Sequence, residues 1–124
     1  MPLLRDTRAL QREAFGVDPL TLQGSALREY LVWNLHALMV EAAEATNRLA
    51  WKPWRTWDDD QVYAHSKRVR VEPEFEEEVI DCLHFVANVL VALGLDDIQL
   101  HDAWQRKANV NRVRQKHERM RREG

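Results

Sequence analysis

One apolar segment constrains the fold of this chain more than any other, because polar residues interrupt it at helical spacing. Residues 76–95 read EEEVIDCLHFVANVLVALGL and are apolar enough for a buried helix. At about 100° per residue, one side of that helix carries Asp81, His84, Asn88 and either Glu77 or Glu78. Apolar residues cover much of the remaining surface, so this polar stripe also faces protein. A carboxylate in such a place is costly unless it is paired or bound to a metal.

Residues 31–51 are the best candidate for the partner of that stripe. They read LVWNLHALMVEAAEATNRLAW, in which Glu41 and Glu44 stand three residues apart. Asn34 and Arg48 fall on the same helical face, and most other residues are apolar. Two acidic stripes would repel each other without a cation between them. Four converging carboxylates predict a Mg²⁺ or Mn²⁺ site that keeps waters for a phosphate-bearing substrate, and the predicted ligands are Glu41, Glu44, Glu78 and Asp81.

Cap and turn residues divide the chain into four predicted helices. They are Asp6 to Phe15 before Gly16, an N-cap at Ser25 to about Trp51, Pro73 to an end marked by Gly94, and Ile98 to about Arg122 after a cap at Asp96 or Asp97. The inner side of the last helix is expected to carry Leu100, Trp104, Ala108 and Val110 or Val113. No strand-length alternation is present, so the predicted fold is an all-α helical bundle. We expect a single domain over residues 1–124, with a basic tail over about 116–124.

The least periodic stretch, residues 51–73, is predicted to be a loop with a short helical turn from Asp58 to His65. A loop of this length in a small domain usually has a function. Its tryptophans include Trp54, which could stack on a nucleobase or cover the core, and the sequence favours neither role. In the first helix, Gln11 could face a site or the solvent, and the sequence favours the solvent.

Charge is distributed unevenly, although the net charge is only −2. Residues 72–81 are strongly acidic and residues 106–122 are strongly basic, which suits a polyanion that arrives with a metal. On charge alone, two solvated helix faces explain the pattern at least as well. No apolar run approaches a membrane span and the N-terminus lacks a signal-peptide pattern, so we expect a cytoplasmic protein without a membrane partner. The lone Cys82 is interpreted as a small buried hydrophobe.

The acidic motifs resemble those of a known superfamily. Glu41-Ala-Ala-Glu44 and Glu78-Val-Ile-Asp81 are similar to the ExxE and ExxD signature of the all-α nucleoside triphosphate pyrophosphohydrolases, which include MazG-like proteins and dimeric dUTPases. Further similarity lies in Trp51-Lys52-Pro53-Trp54, in the DxLHF-like run from Asp81 to Phe85, and in a KNxxNxxRQ-like segment with Lys107, Asn111 and Arg114. The resemblance covers roughly residues 8–116.

This resemblance implies hydrolysis of a nucleotide between its α and β phosphates, giving the monophosphate and pyrophosphate. It implies that Mg²⁺, or Mn²⁺ as a substitute, is held by Glu41, Glu44, Glu78 and Asp81, with Glu41 or Glu44 orienting or deprotonating the water. Lys107 and Arg114 would bind the phosphates, and Asn111 the sugar or a phosphate. The base and sugar pocket would be shaped by His84, Asn88, Gln11 and Trp54. The expected substrate is dUTP, followed by dCTP, dGTP or a modified nucleotide, because Ala108 and His117-Glu118 depart from the dUTPase pattern.

The same superfamily builds its catalytic bundle from two or more subunits. Three long helices and a short one are few for a closed four-helix core. We therefore expect a homodimer or homotetramer that completes the bundle, with basic residues of one subunit completing the site of another.

Two other functions are compatible with parts of this pattern. The basic C-terminal helix could make the chain a non-enzymatic nucleic-acid-binding or interaction module, but the inward carboxylates would then have no role, so nucleic acid is the less favoured partner. The four acids could instead hold two iron ions. Such bundles usually use Glu-x-x-His pairs, to which Asp81-x-x-His84 is the nearest approach. The hydrolase is therefore the favoured interpretation.

Overall fold

The computed structural model describes residues 1–49 and 73–124. Most of these residues lie in four helices, α1 (Leu3–Phe15), α2 (Gly24–Asn47), α3 (Pro73–Ala92) and α4 (Asp97–Glu123), with a short 3-10 turn at Pro19–Thr21. No strand occurs within the two described ranges. The predicted all-α fold is confirmed. The predicted loop with Trp54, its short helical turn and Pro53 lie outside the described residues.

Two predicted boundaries of α2 are wrong. The helix begins at Gly24 with Gln23 in the N-cap position, so Ser25 is not its cap. It ends at Asn47, before the predicted end at Trp51. The last turn explains the early end, because its threonine and asparagine are weak helix formers that compete for backbone groups. Thr46 does so here, since its hydroxyl donates to the carbonyl of Ala42 at 2.8 Å.

Helix α3 is the central element, and the others pack around it. α2 packs along α3, and α1 and the 3-10 turn also contact it. The buried core joins Leu4 of α1 to Ala87 and Val91 of α3, with partly buried leucines around them: Leu3, Leu90, Leu95 and Leu100. This core lies near the C-terminal end of α3. The N-terminal half of α3 is therefore left for the acidic residues.

A sharp corner joins α3 to α4. The two helix directions differ by 106°, and the turn passes through Gly94 at φ +90°, a conformation that favours glycine. Asp96 caps α4 as predicted, in a reciprocal pair with Gln99. Among the described residues no single helix is long and apolar enough to cross a membrane, and α3 and α4 reach that length and hydropathy only when taken together across the corner.

Asp97 connects this corner to the start of the chain. Its carboxylate accepts hydrogen bonds from the backbone N–H of Leu4 at 2.8 Å and of Arg5 at 3.1 Å. Pro2, the residue before α1, supplies no side-chain cap, so Asp97 satisfies N–H groups that would otherwise lack a partner. This explains why α1 starts at Leu3 and not at the predicted Asp6.

Large apolar side chains remain exposed on two helices. Trp33 and Met39 of α2 are 69% and 68% exposed. The predicted inner side of α4 is wrong for a single chain, because no residue of α4 is buried and Trp104 is 61% exposed. Beyond the corner α4 does not pack along α3 in the described ranges, and of its predicted inner residues Leu100, near its start, packs against the core. The amphipathic pattern of α4 therefore has no partner within the described part of the chain.

The role of Asp97 can be tested by Asp97→Ala. We expect the free energy of unfolding to fall by about 1 kcal/mol, the usual loss for a helix-capping side chain. Urea unfolding at one fixed protein concentration measures this loss. Asp102→Ala, which removes the same charge from the second turn of α4, is the control and should change the midpoint far less. Equal losses in both variants would contradict the capping role.

Candidate active site

Buried amide hydrogen bonds fix how α2 lies against α3. The side-chain NH₂ of Asn88 donates to Oδ1 of Asn34 at 2.9 Å, and the NH₂ of Asn34 donates to the carbonyl of Tyr30 at 2.7 Å. Because a backbone carbonyl can only accept, the Asn34 amide has a single orientation, with its oxygen towards Asn88. Both asparagines are less than a tenth exposed. Sliding the helices would leave buried polar groups unpaired, which is costly.

This contact sets the register of the acidic residues. A second contact joins Arg48 to Glu78. Arg48 comes after Asn34 in the chain, whereas Glu78 comes before Asn88, so the two helices run antiparallel. Equal steps in opposite directions from the bonded asparagines therefore lead to facing positions. Two helical turns away, Glu41 lies opposite Asp81, and one turn further Glu44 lies opposite Glu78. The two acidic motifs thus face each other, as their spacing predicted.

The four carboxylates influence one another. Partial burial raises the pKa of Glu41, and the nearby negative charges of Glu44, Asp81 and Glu78 raise it further. Within residues 1–49 and 73–124, no three or more Asp, Glu, His or Cys side chains are close enough to form a ready-made metal site. That spacing agrees with the mutual repulsion that acts on Glu41.

Glu78 is an enclosed carboxylate at the end of the acidic face. Its side chain is only 12% exposed, and its Oε1 lies 3.4 Å from Nε of Arg48. Its other oxygen, Oε2, is buried and has no hydrogen-bond partner among the described residues. A buried carboxylate oxygen without a partner is unfavourable unless another group meets it. Hard oxygen donors facing each other across two helices fit Mg²⁺ or Mn²⁺, which would supply that group.

Two further side chains lie beside the carboxylates on α3. His84 is exposed, one turn from Asp81. Cys82 is half-buried, and burial followed by the charges of Glu41 and Asp81 raises the pKa of its thiol. The protonated thiol therefore acts as a small, weakly polar neighbour of the acidic face, close to the predicted role.

Gln11 is buried, so the preference for solvent was wrong. It is 8% exposed and its Oε1 accepts a hydrogen bond from the Tyr30 hydroxyl at 2.9 Å. Partial burial raises the pKa of Tyr30 to about 12. Gln11 thus joins α1 to the amide hydrogen bonds between α2 and α3. Local spacing could not reveal this burial, because the partner of Gln11 lies in another helix.

The predicted phosphate-binding residues lie on a helix that does not pack along the acidic faces of α2 and α3 in the described part of the chain. Lys107, Asn111 and Arg114 are all exposed on α4. Lys107 lies ten residues along α4 from the corner, about 15 Å, and Asp81 lies eleven residues back along α3, about 17 Å. The two arms meet at the corner between α3 and α4, where the helix directions differ by 106°. Trp54, the remaining predicted site residue, lies outside the described residues.

The all-helical fold and the facing acidic pairs fit the all-α superfamily of dimeric dUTPases and MazG-like proteins. Residues 16–99 match the dUTPase family, and the chain belongs to that family. No curated protein and no solved structure gave a match. The matched range contains all four carboxylates and stops before Lys107, Asn111 and Arg114. Membership of this family points to a nucleotide pyrophosphohydrolase.

The raised pKa of Glu41 makes the stability of the metal-free protein depend on pH. A carboxyl whose pKa is higher in the folded than in the unfolded state favours folding at low pH, and this contribution is lost as pH rises through the folded pKa. Glu41→Gln should therefore melt above the unmodified protein at about pH 7, and this advantage should shrink towards about pH 4. Melting curves in EDTA measure the difference.

Glu29→Gln is the matched control for this measurement, because it lies on an exposed face of α2 and removes the same charge. Its melting temperature should follow that of the unmodified protein at every pH. If the Glu41→Gln curve also ran parallel to that of the unmodified protein, the proposed repulsion at Glu41 would be wrong.

Proposed function

We propose that this protein is a metal-dependent nucleoside triphosphate pyrophosphohydrolase. It cleaves a nucleotide between the α and β phosphates and releases the monophosphate and pyrophosphate. dUTP is the favoured substrate, with dCTP, dGTP or a modified nucleotide behind it. The observation that carries the proposal is the pair of facing acidic motifs on α2 and α3, which lie entirely within the residues that match the dUTPase family.

The acidic motifs would hold Mg²⁺, with Mn²⁺ as a substitute, through Glu41, Glu44, Glu78 and Asp81. The bound ion would neutralise charge on the phosphates and lower the pKa of the attacking water. Glu41 or Glu44 then orients that water or accepts its proton. The hydrogen bond between Asn34 and Asn88 keeps both acidic motifs facing the space between α2 and α3. A metal ion and the attacking water held there would lie beside the α phosphate.

A second copy of the chain is part of this proposal. Lys107 and Arg114 lie on α4, which does not pack along α2 or α3 in the described part of the chain, so α4 of a partner subunit would bring them to the carboxylates. The exposed apolar side chains on α2 and α4, such as Trp33, Met39 and Trp104, supply surfaces that a homodimer or homotetramer would bury. Asn111 of the partner would bind the sugar or a phosphate.

The remaining predicted site residues would form the nucleoside pocket. His84 is exposed one turn from Asp81, so it can contact the base or sugar directly. Gln11 and Asn88 are buried and hydrogen-bonded within the protein, so they would support the wall of the pocket. Trp54 would stack on the base. We also propose a cytoplasmic location, which suits a protein whose one cysteine is free.

A nucleic-acid-binding module is the second candidate, because no residue of α4 is buried and residues 106–122 are strongly basic. This function predicts salt-dependent binding of DNA or RNA without any metal. Such binding in a protein that releases no pyrophosphate would favour the module over the enzyme.

The reaction can be tested by measuring pyrophosphate release from a panel of canonical and modified nucleotides. We expect Mg²⁺-dependent release of pyrophosphate and monophosphate, greatest with dUTP and absent in EDTA. Glu44→Gln should reduce the rate by at least about a hundredfold, a typical cost of losing a group that positions or deprotonates the nucleophile. Glu29→Gln, on the same helix, should retain full activity. Full activity of Glu44→Gln would remove Glu44 from the site.

The shared site can be tested by mixing two inactive variants. Lys107→Ala and Glu44→Gln should each be impaired, the first mainly through weaker triphosphate binding. If α4 of one subunit completes the site of the other, random mixing of dimers restores about a quarter of the full activity, because half of the dimers carry one intact site out of two. Sedimentation should show dimers or tetramers. If mixing restored no activity, Lys107 would not complete the site of the partner subunit, and the shared site would be wrong.

A further inference from the structure

Among the described residues, Arg48 is a cation that contacts the acidic motifs. It follows the last residue of α2, and its Nε lies 3.4 Å from Oε1 of Glu78. The Arg48 side chain is 40% exposed and the Glu78 side chain only 12%. The contact therefore joins a partly solvated guanidinium to an enclosed carboxylate. A guanidinium stays protonated at every physiological pH, so this charge is permanent.

The position of this contact matters for the other carboxylates. Glu78 is one of three acids whose negative charge raises the pKa of Glu41. Arg48 contacts Oε1 of Glu78, whereas Oε2 of Glu78 is buried without a hydrogen bond in the part of the chain that the structure describes. Arg48 therefore holds the Glu78 side chain while leaving one oxygen available to a different cation. A metal that used both oxygens would have to displace the guanidinium.

We propose that Arg48 is an internal counter-ion of the acidic site, which stabilises the metal-free protein and weakens metal binding by competing for Glu78. This inference rests on the proposed function, since it takes Glu78 as a metal ligand. Arg48 is here a positioning residue. A site of this kind binds Mg²⁺ weakly by itself and more tightly with a triphosphate, whose negative charge offsets the guanidinium.

The competing explanation is that Arg48 only stabilises the end of α2. A cation at a helix C-terminus interacts favourably with the helix dipole, so either role predicts a lower melting temperature when the charge is removed. The affinity for metal separates the two roles. Loss of a helix-end charge leaves that affinity unchanged or lowers it, whereas loss of a competing counter-ion raises it.

The test is a calorimetric titration of Mn²⁺ or Mg²⁺ into the full chain without nucleotide, together with melting curves in EDTA. For Arg48→Gln we expect about tenfold tighter metal binding, because one unit of positive charge beside the site is removed. The same variant should melt several degrees lower without metal. Arg48→Lys keeps the charge and should stay close to the unmodified protein in both measurements.

Arg28→Gln is the matched control, since it removes the same charge from α2 about 30 Å away along the helix axis. It should change neither metal affinity nor metal-free melting. The double variant Arg48→Gln with Glu78→Gln tests the partner. If Arg48 acts through Glu78, its removal lowers the melting temperature much less when Glu78 is already neutral.

The outcomes separate this inference from the function on which it rests. If the unmodified protein binds metal and Arg48→Gln binds it equally or more weakly, the counter-ion role is overturned and the proposed function stands. If the unmodified protein binds no metal, with or without dUTP, and releases no pyrophosphate, both are overturned. Tighter binding by Arg48→Gln alone, with Arg28→Gln unchanged, supports the inference.

Discussion

The hydrogen bond between Asn34 and Asn88 is the contact on which the geometry of the candidate site depends. Two antiparallel helices with apolar faces can slide past each other by a turn at little cost, because one leucine replaces another. A buried amide pair removes that freedom, since any other register leaves polar groups unpaired. Buried polar pairs have this registry role in some coiled coils. Here the register decides whether Glu41 faces Asp81 or an apolar side chain.

The acidic site has a cost in stability that the rest of the fold reflects. The carboxylates line the facing sides of α2 and α3, and partial burial together with their repulsion raises the pKa of Glu41. The buried apolar core of the described chain is correspondingly small and lies at the other end of α3. Arg48 at one end of the acidic face and the amide pair at the other hold the two helices together around it. The exposed apolar surfaces of α2 and α4 are where a second copy would add the missing burial.

Helical periodicity predicted the main elements and the acidic faces because both depend on neighbours three or four residues apart. The caps at Gly16 and Asp96 were predictable for the same reason. Long-range partners decided the rest. α1 starts early because Asp97, at the start of α4, caps it. Gln11 is buried against α2, where the Tyr30 hydroxyl donates a hydrogen bond to it. Periodicity predicted that α4 has an apolar side. It cannot say whether the surface that covers this side belongs to the same chain or to another.

The end of the family match separates the two halves of the proposed mechanism. The carboxylates, which would determine the class of reaction, lie within residues 16–99, whereas Lys107, Asn111 and Arg114 lie beyond that range. The facing surfaces of α2 and α3 are constrained by the amide pair and by four charges, so little can change there without loss of the site. α4 is unconstrained by any buried residue, and Trp54 lies outside the described residues. Differences in nucleotide preference within this fold are therefore expected to arise in α4 and around Trp54, with the chemistry of the paired acids unchanged.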